Sequence, residues 1–97
     1  MTTHTENTSI IRTETVMNDQ TTYTYKLIRH TEKEKSSFSI ELYEICVEMK
    51  EGENHIFYKT GGIFTSIDKA MTFLTKLKEN MATPRNIPYI LEDSLSF

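Results

Sequence analysis

His4, His30, His55 and Cys46 are the side chains best suited to a soft metal, and a zinc site needs several such ligands closely spaced or gathered on one face. None of the four lies near another in sequence, so a metal centre would depend on strand pairing that brings His30 and His55 to Cys46. The simpler reading makes them strand-end and core residues, and neither a metal nor a cofactor is expected. Hydrolysis would require a nucleophile beside a base, or two facing carboxylates. The acids are scattered; Glu41, Glu44 and Glu48 follow one another along a strand-like run and are expected to face solvent, while Glu92 and Asp93 are neighbours on a helix and diverge. No enzymatic activity is expected.

One motif offers anion chemistry. Gly61-Gly62, followed by Thr65 and Ser66, would present helix-start amides to an anion in the manner of phosphate loops. No Lys follows at the spacing of such a loop and the glycine pattern is not that of a dinucleotide fold, so a bend before a helix is the plainer reading. Gly61, Gly62, Thr65 and Ser66 stand as the candidate anion site.

A formal net charge of −3 over 97 residues gives no general attraction to phosphate backbones, which excludes broad nucleic-acid binding. Lys26, Arg29, Lys33 and Lys35 are interleaved with Glu32 and Glu34, a mixed run that reads as a solvated hairpin end. The lone Cys46 sits in an apolar run, where it behaves as a small hydrophobe in a reducing compartment. The N-terminal residues lack a basic region followed by an apolar stretch, and no later run reaches membrane-spanning length. The chain is therefore expected in the cytoplasm, with no membrane partner.

The elements that would position these residues are legible in the hydropathy pattern. Residues 1–9 are polar and expected to form a mobile tail, with 10–97 as a single domain. Ile10, Ile11, Val16 and Met17 lie in an edge strand, and Asn18-Asp19-Gln20 make a turn. Tyr23, Tyr25 and Leu27 alternate with Thr24 and Lys26 in the clearest strand. From Phe38 to Met49 the alternation changes phase: Phe38, Ile40 and Leu42 hold one face, and Tyr43, Ile45, Val47 and Met49 the other. Either a β-bulge near Leu42 and Tyr43 restores a single buried face, or the strand is central and apolar on both faces. Glu51-Gly52-Glu53-Asn54 close a hairpin to a fourth strand over 55–60.

Thr65 as N-cap with Asp68 as its capping-box partner starts a helix. Its apolar stripe is Ile67, Ala70, Met71, Leu74, Leu77 and Met81, widened by Phe73. Thr83-Pro84 open a second helix bearing Ile87, Ile90, Leu91 and Leu95, which Pro88 either kinks or restarts at Asn86. The class is α+β, an antiparallel β-meander followed by two C-terminal helices packed on one face.

Phe38-Ser39-Ile40-Glu41, Phe64-Thr65-Ser66 and the ending Thr83-Pro84 with Ile90-Leu91-Glu92-Asp93 and Leu95 resemble a family of short bacterial proteins known only as a domain of unknown function. Pro88 and Ser94 depart from its pattern. The resemblance implies a compact sheet-plus-two-helix domain of a cytoplasmic protein and no activity.

Two short helices cover one sheet face, which leaves Ile28 and Phe57, with Lys26 and Lys59, as a candidate partner surface. A protein partner or self-association through that face or a sheet edge is the leading expectation. The alternative is a small-molecule or anion binder using a pocket between sheet and helices, lined by Tyr23, Tyr25, Tyr43 or Tyr58.

Overall fold

Two tight turns set the frame of the sheet. The computed structural model describes residues 5–33 and 39–95, with strands β1 (Thr5–Asn18), β2 (Thr21–Lys33), β3 (Ser39–Glu51) and β4 (Asn54–Lys59), then helices α1 (Ile67–Glu79) and α2 (Ile87–Leu95). Asp19 at φ 56° and Gly52 at φ 60° supply the left-handed backbone that two-residue hairpin loops require. The strands pair antiparallel in chain order, β1-β2-β3-β4. This is the expected meander followed by two helices. The long axis of 50 Å follows from β1 and β2, which run 14 and 13 residues at about 3.4 Å each.

β1 begins at Thr5, inside the stretch expected to be a mobile tail. Thr5 to Ser9 pair with Lys33 to Arg29, because β2 continues past His30 and offers ladder partners that a backbone takes whatever its side chains. The charged connection at 34–37 and the expected strand start at Phe38 lie outside the described residues.

The phase change in β3 is not a bulge. β3 pairs with β2 without a break from Ser39 to Glu51, and Tyr43, Glu44, Ile45, Cys46 and Val47 are all buried. The strand is central, with both faces covered at its middle. The register slips instead in β1, between Ile10 and Arg12, where an edge strand accommodates an extra residue and Ile11 packs against the core.

Tyr25, Leu27, Tyr43, Ile45 and Val47 form the sheet side of that core. Ala70, Phe73, Leu74 and Leu77 of α1, with Ala82 and Ile87 beyond it, close the other side. The buried stripe of α1 is thus centred on Phe73, whose ring lies 5.4 Å from that of Phe64, while Ile67 at the first turn is exposed. The N-cap is Ser66 rather than Thr65; its hydroxyl accepts from the Lys69 amide. Phe64 is tied to Tyr43 by two backbone hydrogen bonds, so Thr65 is needed for the turn away from the sheet, and the helix starts one residue later than the capping pattern predicts.

Met81 is not part of the stripe. It follows the Asn80 C-cap at φ 49°, with Met81 N–H donating to Lys78 and Ala82 N–H to Leu77, the paired bonds of a Schellman ending. That site ordinarily takes Gly, and a side chain there costs on the order of 1 kcal/mol. Met81→Gly is accordingly expected to raise the unfolding free energy by about 1 kcal/mol, seen as a higher urea midpoint with an unchanged slope. After the turn at 84–86 the chain restarts as a helix at Ile87, whose first internal bond runs from Ile90 N–H to the Asn86 carbonyl. Pro88 sits in that first turn, where its missing amide has no helical partner to lose.

Candidate functional site

Strand parity divides the sheet residues cleanly. Tyr25, Leu27, Ile45 and Val47 face the helices, so Lys26, Ile28, Cys46, Phe57 and Lys59 share the outer face. The register arranges them in cross-strand rows: Thr24, Glu48 and Phe57; then Lys26, Cys46 and Lys59; then Ile10, Ile28 and Glu44; then His30 and Leu42. The four expected surface residues therefore lie on one face of the sheet. Phe57 is 59% exposed and Ile10 60%, whereas Ile28 is half-buried.

The charges on this face are ordered around Phe57. Lys26 Nζ lies 3.1 Å from one Glu48 oxygen, and His55 Nε2 3.9 Å from the other. Lys59 Nζ sits 5.8 Å from the centroid of the Phe57 ring, and the centroid of the His55 ring lies 6.2 Å from it. Cys46 is buried in the row between the two lysines, whose aliphatic stems can cover it while their ammonium groups stay wet. Burial pushes its thiol pKa up, Glu48 adds to the rise and Lys26 and Lys59 oppose it, which leaves an unreactive thiol at neutral pH.

β4 is also an edge. Thr60 N–H donates to the Ile45 carbonyl, and the pairing alternates from there, so Tyr58, Ile56 and Asn54 direct their backbone groups at β3. The amides and carbonyls of His55, Phe57 and Lys59 point outward. On the opposite edge, β1 carries its bulge and the pair Arg12–Glu14 at 2.7 Å. Lys78 of α1 donates to the same Glu14 carboxylate, and together these cations hold it below the usual carboxylate range.

Glu44 does not face solvent, contrary to what the spacing of Glu41, Glu44 and Glu48 along the strand predicts. Glu44 is buried on the outer face, between Leu42 and Cys46, where one carboxylate oxygen lies 3.1 Å from His30 Nε2 and the other accepts the Gly61 amide at 3.0 Å. Thr8 Oγ1 lies 3.4 Å from the other ring nitrogen of His30. The chain loops out at Gly61–Ile63, between the β4 pairing and the Tyr43–Phe64 bridge, and lays Gly62 against Leu42. A Cβ on Gly62 would stand 3.0 Å from that of Leu42. A signal was present in the sequence: an acid inside a strand apolar on both faces, and a glycine pair able to approach it.

The candidate anion residues are used internally. The Gly61 amide serves the Glu44 carboxylate, Gly62 lies on the outer face over Leu42, and Ser66 caps α1 on the side of the sheet that the helices cover. The tyrosines expected to line a pocket are packing residues: Tyr25 is fully buried with its hydroxyl donating to the Ala82 carbonyl at 2.9 Å, and Tyr43 is buried with its hydroxyl on Glu41. A cleft of about 560 Å³ opens instead at the β3–β4 hairpin end, between Met49, Glu51, Glu53, Ile56 and Arg85. Among the described residues no three His, Cys, Asp or Glu side chains assemble as metal ligands, and no helix is long and apolar enough to cross a membrane.

A family model described as a family of unknown function (DUF6514) matches residues 5–96. No curated protein and no solved structure matches the chain.

Proposed function

The chain belongs to this family of unknown function, and from that premise we propose that it is a non-enzymatic module of the bacterial cytoplasm that binds another protein through β4 and the outer sheet face. The observation that carries this reading is Phe57, a large aromatic residue 59% exposed on an edge strand, where the outward amides and carbonyls of His55, Phe57 and Lys59 meet no ladder partner among the described residues. Exposed apolar side chains rimmed by charge mark protein interaction surfaces, and an unpaired edge accepts an extended segment as an added strand. Lys59, His55, Lys26 and Glu48 supply the polar rim. The small-molecule alternative has less behind it, since Tyr25 and Tyr43 are consumed in the core.

A photo-reactive phenylalanine analogue at position 57 tests the proposal in the native cell. Tyr89, 71% exposed on α2, provides the control position. Discrete protein adducts from position 57 and not from 89 are expected. Equal or absent labelling at the two positions would remove the basis of the reading.

A further inference from the structure

We propose that the strand added to β4 is β4 of a second copy of this chain, paired antiparallel about a two-fold axis at Phe57. The inference rests on the interaction reading above and names its partner. Self-complementarity of the edge carries it. With the axis at Phe57, the outward-facing backbones of His55, Phe57 and Lys59 meet those of the partner's Lys59, the partner's Phe57 and the partner's His55, so all three residues exchange both ladder bonds. On the outer face the two Phe57 rings come together. On the helix face Ile56 stands opposite the partner's Tyr58, and Tyr58 opposite the partner's Ile56. Both residues are only half-buried, because the close contacts of α1 are with β2 and β3. Direct cross-strand apolar and aromatic pairs of this kind stabilise a ladder.

The neighbouring registers are worse, which fixes the axis. Shifting it to His55 places Glu53 against the partner's Phe57 and Ile56 against the partner's Asn54. Shifting it to Lys59 sets two lysine ammonium groups directly opposite each other. Beyond Lys59 the chain leaves the ladder at Gly61, so the contact ends there. β1 does not compete, since its bulge and the Arg12–Glu14 pair are the devices that blunt an edge. The product is one continuous sheet with an isologous interface.

Sedimentation of the full chain across micromolar to millimolar concentration is the test, beside Phe57→Pro. Proline at an outward-facing position removes a donor that β3 does not use, so the variant is expected to keep its circular dichroism spectrum while its dimer dissociation constant rises by about tenfold or more. If Phe57→Pro fails to fold, Phe57→Cys in a Cys46→Ala background replaces it; oxidation is expected to yield a 57–57 cross-linked dimer. A wild-type chain that stays monomeric throughout, a folded Phe57→Pro variant that dimerises as well as wild type, or an uncross-linkable Phe57→Cys variant overturns the proposal. A monomeric chain whose position-57 adducts in the cell contain only other proteins overturns this inference and leaves the interaction reading standing.

Discussion

Glu44→Ala is expected to lower the unfolding free energy by about 2–3 kcal/mol, and Glu44→Gln by roughly half as much. Among the described residues the carboxylate is the one acidic group buried within the sheet, and it takes two hydrogen bonds, from the Gly61 amide and with His30. Bonds to a charged acceptor contribute more than neutral ones, and removing the acceptor leaves the Gly61 amide to find water beneath a covering loop. His30 retains some exposure, so it can recover a water more easily than Gly61 can. Gln preserves an acceptor of the same shape for one of the two partners. Urea unfolding measures the loss, and hydrogen exchange locates it: protection of the Gly61 amide should collapse in the Ala variant while that of Tyr43 and Phe64, bonded backbone to backbone, falls less. An Ala variant as stable as wild type would mean that the Glu44 carboxylate does not hold the 61–63 loop.

The meander and the two helices were legible because their signals are local. Period-two alternation over Tyr23, Tyr25 and Leu27, turn chemistry at Asp19 and Gly52, and the three-and-four spacing from Ala70 to Leu77 each depend on neighbours within a few residues. What is not legible in the sequence depends on distant pairing. Thr5 to Ser9 have no hydrophobic signature, and they are ordered only because β2 extends far enough to pair with them. The phase change in β3 was visible, but whether a bulge or a second covered face resolves it is decided by residues elsewhere, the Gly61–Ile63 loop and the Lys26 and Lys59 stems. The burial of Glu44 is hidden from the sequence for the same reason: its two partners are 14 and 17 residues away. That Lys26, Ile28, Phe57 and Lys59 share one face was legible because strand parity alone puts these residues on one side. The outward direction of the β4 amides needed the hydrogen-bond register, which no periodicity reports.

Tyr25→Phe is expected to cost about 1–3 kcal/mol at neutral pH, though it removes a single oxygen. The hydroxyl donates to the Ala82 carbonyl across 57 residues of sequence, both groups are buried, and phenylalanine leaves that carbonyl without its donor. The bond also joins β2 to the segment between α1 and α2, which Ile87 anchors by packing, so the variant should loosen the α2 end of the core before the sheet. A second consequence concerns alkaline pH. Burial raises the Tyr25 phenol to about 12 from an ordinary 10.0, with the neighbouring Tyr23 adding to the rise. The unfolded chain therefore releases this proton first. Stability from the neutral phenol is fully present below pH 10 and is lost as pH climbs from about 10 towards 12. Tyr43, also raised by burial and by Glu41, contributes in the same direction and is untouched by the substitution. The difference in stability between wild type and Tyr25→Phe should thus be constant from pH 7 to 9 and narrow through the alkaline window. A gap that stayed constant to pH 12 would place the Tyr25 hydroxyl in contact with water, and the link between β2 and the interhelical turn would then have to rest on packing alone.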